Sequence, residues 1–273
     1  MLLHLLLALR IVTLVPSFAE DACAIGACAQ LVGISKFSGD VPGASSKAVV
    51  GDFASVDTER IIALHPDVVV GIASQMRLVA PLQRAGIHVV FMPDDTYDDI
   101  FTDLQTLGQL TGHTARARAE IVALKRETAR LHATVAHRAY RPSVFVALGT
   151  GPIWTAGPSS YIARLIELAG GRDAAADLPS AWGEYSDEAL IRAQPDIIVA
   201  GEDTNITPVQ TREPWRSLRA VREGQVFAIS DPRVENALFR PGPHYNEGLR
   251  WLIERLSSPS TQTTPTDRSN PNW

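Results

Sequence analysis

Asp57-Thr58-Glu59-Arg60-Ile61-Ile62-Ala63-Leu64-His65-Pro66-Asp67-Val68-Val69-Val70 returns later in the chain as Ser186-Asp187-Glu188-Ala189-Leu190-Ile191-Arg192-Ala193-Gln194-Pro195-Asp196-Ile197-Ile198-Val199. Glu59 to Glu188 and Pro66 to Pro195 are the same 129-residue shift. Each copy reads as a short helix, a Pro-Asp turn and a β-branched run. The acid near the front favours a helix N-terminus, and the residue before the proline is steered out of the helical region. The apolar run that follows suits a central parallel strand covered on both faces. Two copies predict two similar α/β lobes, and the cleft between them is where a ligand would sit.

Working outward, Ile11–Val15 reads as a buried strand stopped by Pro16, and Ser17 to Glu20 has capping-box spacing. Short strands are expected at Leu31–Ser35, His88–Met92, Ser143–Leu148 and Gln225–Ile229. Helices are expected near Leu78–Ala85, Asp98–Leu110, Tyr161–Ala169 and Asn246–Leu256. Thr114 to about His137 contains neither Gly nor Pro, and Ile121, Leu124, Thr128, Leu131 and Val135 recur on one helical face. Such a helix would reach roughly 36 Å and join the lobes. The division expected is an N-terminal lobe over 10–112, the linking helix over 113–138, a C-terminal lobe over 139–256, and a disordered Ser/Thr/Pro/Asn-rich tail over 257–273.

The bulk numbers exclude some classes. With 45% hydrophobic and 20% charged residues the chain is of globular composition. A net charge of -5, without a basic stripe, argues against nucleic acid as a partner. Met1–Leu9 is apolar but too short to span a membrane and lacks the basic front of a signal peptide. That leaves two expectations open, an intracellular chain or a start further upstream. Cys23 and Cys28, the only cysteines, fall in one helical-turn region, where a bridge needs unusual geometry, so no disulfide and no zinc site is expected.

Taken in order, these motifs resemble the periplasmic binding proteins for vitamin B12 and ferric siderophores, a family that includes haem and metal receptors. The resemblance rests on Arg10 to Glu20 with its Pro-Ser-x-x-Glu turn, on Glu59 to Val70, and on Gly157 to Gly171. Glu188 to Val199 and Arg240-Pro241-Gly242-Pro243 complete it. It covers residues 10–256. It implies two Rossmann-like lobes with mainly parallel sheets joined by one long rigid helix. It also implies a monomeric, extracytoplasmic receptor without catalysis or an intrinsic cofactor. Such a receptor captures a corrinoid, or alternatively a ferric siderophore or haem, and delivers it to an ABC permease. Relatives of the B12 type carry a docking glutamate after the strand equivalent to Val68–Gly71. Here Ser74-Gln75-Met76-Arg77 stands there, and Glu202, Asp203 and Glu213 could supply acids on the second lobe only.

In open parallel sheets ligands meet the carboxyl ends of strands. That rule selects Ser17, Phe37, Phe53, Gln75 and Asp94 in the first lobe, and Thr150, Trp154, Trp182, Asp203 and Arg233 in the second. The four rings Phe37, Phe53, Trp154 and Trp182 lie in polar stretches and could pack on a flat macrocycle, or each could plug its own lobe's core. Ser17 and Glu20 are explained by the capping box. His244 and Tyr245 could supply an axial ligand to haem, or simply enter the last helix. Arg77, Arg212 and Arg233 could face an anionic siderophore, or solvent. No bare-metal site is expected. A two-lobed sugar-nucleotide enzyme would need phosphate-cradling glycines, and no Gly-x-Gly-x-x-Gly follows the first strand. An intracellular cofactor carrier of the same shape remains as a third reading.

Overall fold

The structure is a computed structural model, and it describes residues 9–149, 151–201, 209 and 211–257. The apolar front segment, the tail beyond Ser257, Thr150, Glu202 and Asp203 lie outside the described residues.

The first sheet is parallel throughout. Its strands are β1 (Ile11–Thr13), β2 (Leu31–Ile34), β3 (Ala48–Val49), β4 (Val68–Gly71) and β5 (His88–Phe91), in the order β3-β2-β1-β4-β5. Helices α1 (Pro16–Ala24), α2 (Thr58–Ala63), α3 (Met76–Arg84) and α4 (Asp99–Thr111) flank it. Every residue of β4 is buried, as the unbroken β-branched run requires of a strand covered on both faces. α5 follows as one helix over Thr114–Ala133, about 30 Å long. It ends a turn earlier than its periodicity suggests, because Val135 and Arg138 donate to carbonyls only three residues back.

The second sheet orders β6 (Ser143–Ala147), β8 (Arg172–Asp173), β10 (Ile197–Ala200) and β11 (Val226–Ala228) as β11-β10-β6-β8, again all parallel. A separate antiparallel ribbon pairs β7 (Trp154–Ala156) with β9 (Trp182–Glu184). The helices are α6 (Tyr161–Leu168), α7 (Asp187–Ala193), α8 (Arg219–Arg222), α9 (Pro232–Phe239) and α10 (Tyr245–Ser257). α9 has no counterpart among the expected elements, although Asp231 caps it through Arg233 N and Pro232 opens it.

The repeated phrase folds the same way twice. The residues before the two prolines, His65 and Gln194, sit in the left-handed region at φ 46° and 39°. The aspartate after each proline then ties the turn to a central strand. Asp67 N donates to Arg10 O at 2.8 Å and Asp67 Oδ2 accepts from Arg10 N at 2.7 Å; Asp196 makes the same pair with Ser143, at 2.9 and 2.7 Å.

The lobes share one core, and α5 is fastened to both. Tyr97, Phe101 and Tyr245 meet edge to face, with Tyr97 and Tyr245 centroids 5.3 Å apart. Thr128 Oγ1 of α5 lies 2.6 Å from Tyr245 Oη, and Asn246 Nδ2 donates to Leu124 O at 3.1 Å. Buried polar contacts of this kind, all satisfied, hold a packing in one arrangement.

Two expectations are corrected here. Cys23 and Cys28 form a disulfide with a Cα separation of 4.1 Å. They do not share a helical turn: α1 stops at Ala24, Gly26 at φ +85° reverses the chain, and Cys28 returns beside Cys23. The capping box is also absent. Val15 is the N-cap, Ser17 lies inside the first turn, and its hydroxyl and the Glu20 carboxylate both reach out of the helix.

Candidate ligand-binding cleft

A cavity of about 350 Å³ lies between the lobes. The first lobe contributes Ile72–Ser74, directly after β4, and Met92–Asp95, directly after β5. It therefore stands at the carboxyl ends of the strands, where an open parallel sheet receives ligands. The second lobe closes it with Tyr161, Trp182, Phe239 and Pro241. The walls touch through the backbone as well, since Tyr161 N donates to Asp95 O at 2.8 Å.

Trp182 is half-buried, and its ring packs 5.9 Å from that of Tyr161. Tyr161 is fully buried and its hydroxyl donates to Leu238 O, so the ring that backs Trp182 is itself held at both ends. On the opposite wall, Ser17 Oγ donates to Asp94 Oδ1 at 3.1 Å. Burial pushes the Asp94 carboxyl up to about 8, the Ser17 hydrogen bond works against that rise, and Asp95, Asp99 and Glu20 add to it. At neutral pH Asp94 is mostly protonated and presents a donor as well as an acceptor.

A salt-bridged bar crosses beside this cavity. Arg240 Nη1 contacts Glu20 Oε1 at 2.9 Å and Asp40 Oδ2 at 3.1 Å, and Asn236 Nδ2 donates to the same Asp40 carboxylate. Burial raises the Glu20 pKa, and the Arg240 hydrogen bond and charge oppose it. Gly242 passes so close that a Cβ there would stand 2.9 Å from Glu20 Oε2. Beyond the bar is a second hollow of about 220 Å³, where Arg233, His244 and Glu247 face Asp40 and Pro42.

The residues singled out by sequence are distributed as follows. Trp182 lines the cavity. Ser17 is buried behind it and reaches it through Asp94. Arg233 and His244 line the second hollow; Arg233 is paired with Asp231 at 3.0 Å, and His244 Nδ1 lies 3.8 Å from Glu247 Oε1. Trp154 lies on the ribbon face that also carries Trp182, because Trp154 opposes Glu184 and Trp182 opposes Ala156 in the antiparallel register. It is 42% exposed and outside the cavity lining. Phe37 and Phe53 also stand apart, stacked on each other at 5.7 Å and exposed, on loops at the carboxyl ends of β2 and β3. Gln75 does not face the cleft. It is fully buried, accepts from Ile72 N at 3.1 Å and reaches Leu14 O, so it shapes the turn after β4 from within. Asp203 lies outside the described residues.

Sequence reading missed Tyr161 and Phe239 as wall residues, and the Glu20–Arg240–Asp40 bar. The bar joins residues 200 and 220 positions apart, so only the Arg-Pro-Gly-Pro loop offered a local signal. Among the described residues no three His, Cys, Asp or Glu converge as a metal site.

A family model described as periplasmic binding protein matches residues 11–232. The chain belongs to that family. Among similar proteins is one from Halobacterium salinarum named cobalamin-binding protein, 31% identical over 88% of this chain and 67% of its own length. Another is the vitamin B12-binding protein of Pectobacterium carotovorum, 30% identical over 82% of this chain and 84% of its own. Solved structures agree on the fold. The vitamin B12-binding protein BtuF of Vibrio cholerae superposes with a TM-score of 0.75 at 23% identity, over 90% of this chain and 96% of that one. The haem-binding protein RhuT of Roseiflexus reaches 0.78 at 22% identity, over 91% and 98%. The periplasmic binding proteins thus account for the paired parallel sheets, the connecting helix and the cleft between them.

Proposed function

We propose that this chain is the substrate-binding component of an ABC importer and that it holds a corrinoid in the interlobe cleft. The observation that carries the reading is the aromatic wall. Trp182, braced by buried Tyr161, offers a fixed apolar face beside a protonated carboxyl. A broad ring system with amide-bearing rims needs both kinds of surface. The names of the similar proteins point the same way. In this reading Phe37, Phe53 and Trp154 form an outer rim that a ligand larger than the cavity would touch. The Cys23–Cys28 disulfide supports action outside the cytosol, where thiols are not kept reduced. It weighs against an intracellular carrier. Docking to the permease would proceed without an acid at the start of α3, where Met76 and Arg77 are exposed.

Haem is the second reading, favoured by one observation: His244 brings an exposed imidazole to the hollow beside the cavity. Calorimetric titration with cyanocobalamin, with haem and a ferric hydroxamate in parallel, separates the two. Submicromolar one-to-one binding of cobalamin is expected. Trp182→Ala should weaken it roughly thirtyfold, about 2 kcal/mol, as for an aromatic anchor. Binding of haem that is lost in His244→Ala would transfer the site to haem. No binding of any of the three would overturn the receptor reading.

A further inference from the structure

The far end of the second lobe holds a cavity of about 370 Å³, lined in part by His132, Arg138, Arg141, Arg164 and Glu167. It lies where Arg141 leads into β6, at the amino end of the second sheet, with the cleft at the opposite end. In a chain with a net charge of -5, three guanidinium groups here meet one carboxylate, Glu167, which Arg164 holds at 2.7 Å. Arg138 and Arg141 have no carboxylate partner among the described residues. Arg138 donates to Ala169 O, Ile253 O and the Ser257 hydroxyl, while Arg141 donates through Nε and Nη2 to Gly171 O at 3.1 and 2.7 Å. The His132 Nδ1 proton is directed at Leu168 O at 2.8 Å.

These contacts have a bland role, since they satisfy carbonyls at the ends of α6 and α10. They do not neutralise the charge. A carbonyl accepts the hydrogen bond and leaves the cation uncompensated, and for half-buried Arg138 burial also lowers the pKa. Among the described residues Arg141 Nη1 makes no hydrogen bond, and Arg164 uses only Nη1, on Glu167, so both keep donors for another partner. Planar guanidinium forks bind multiply charged oxyanions in a bidentate manner.

We infer that this distal cavity of the second lobe is a binding site for a small polyanion of the phosphate or polycarboxylate class, separate from the ligand cleft. The space exceeds what a single small oxyanion fills, so a phosphorylated or tricarboxylic small molecule suits it better than inorganic phosphate alone.

The test is calorimetric titration of the full chain at low ionic strength with pyrophosphate, citrate and inorganic phosphate, and with sodium chloride as the control. Submillimolar one-to-one binding is expected for pyrophosphate or citrate, weaker for phosphate, and weakened by added chloride. The ratio of pyrophosphate to citrate affinity assigns the subclass. Arg164→Gln touches no backbone carbonyl and should fold normally; it and Arg141→Gln should each weaken binding at least fivefold, with unchanged circular dichroism. Absence of binding to all three anions would overturn the proposal. So would binding that survives both substitutions, or that is lost instead in Arg240→Gln, which would place the anion in the cleft.

Discussion

Asp67 and Asp196 occupy equivalent turns, yet their surroundings differ. The Asp67 carboxylate accepts from the backbone of Arg10, whose guanidinium turns away to Leu64 O and His65 O at the end of α2. In the second lobe the position of Arg10 is taken by Ser143, whose hydroxyl adds a 2.7 Å contact to Asp196. The guanidinium comes from Arg219 of α8, which contacts both Gln194 O and the Asp196 carboxylate. Local sequence dictates the turn twice, and each lobe then recruits its own arginine to finish it. The lobes differ more sharply in how their buried acids are partnered. The first buries Asp21 between α1 and its neighbours and Asp103 on α4, and neither carboxyl has a hydrogen-bond partner among the described residues. In the second, burial alone would raise Asp196, but Ser143, Tyr140 and Arg219 hold it below the usual carboxylate range. Asp173, raised to about 6 by burial, is the second lobe's exception.

The largest expected effect exploits that contrast through pH. Burial, then the charges of Asp94 and Asp99, pushes Asp103 up to about 9; burial, then Asp103 itself, pushes Asp21 well up. Between the unfolded carboxylate value of about 4 and the folded value of Asp103, the native state holds a proton that the unfolded chain has released. These groups therefore make stability fall as pH rises across that window. Urea unfolding should give a lower free energy at pH 9 than at pH 6. Asp103→Asn, which keeps the shape and cannot ionise, should stabilise the chain by roughly 2–4 kcal/mol at pH 8 and by little near pH 4. An unchanged pH profile in this variant would show that the first lobe's acids are not the cause. Asp196→Ala tests the other side. It removes the Ser143 and Tyr140 hydrogen bonds and the ion pairs with Arg219 and Arg172, and leaves Arg219 without its acid, a loss of about 3 kcal/mol at pH 7. Because the Asp196 pKa is depressed, its contribution is present at neutral pH and lost as pH falls through the folded value.

The central strands and the shared turns were legible because each is written in adjacent residues: a β-branched run, a helix-ending proline, an aspartate beside it. α5 was legible because a period of 3.6 survives over its length. The cavity location followed from a topological rule, and Trp182 from its polar context. What stayed hidden depends on distance or on exclusion from water. Nothing near Glu20 announces Arg240, and nothing near Asp21 says that α4 will press Asp103 toward it. Gln75 reads as a polar cleft residue, but it is consumed by the turn it completes.

The disulfide belongs wholly to the first lobe. It closes only the short loop from Cys23 to Cys28, so chain entropy limits its contribution to about 2 kcal/mol. Replacing both cysteines by serine should lower the urea midpoint accordingly. Ligand affinity should be unchanged, since neither residue lines the cleft. A loss of affinity in the double variant would mean that the loop positions Ser17 and Asp94 through α1.

The smallest effect returns to the repeated turn. Asp67→Ala removes one hydrogen bond to a backbone N–H in an exposed setting, worth about 1 kcal/mol. The Arg10 guanidinium keeps its two carbonyl partners, so no buried charge is stranded. Measured beside Asp196→Ala by the same urea unfolding, the ratio of losses should be near three. If the two are equal, the turn itself carries the energy, and the extra partners of Asp196 contribute no more than orientation. If Asp67→Ala is the more damaging, the first lobe depends on its turn more than the second lobe does.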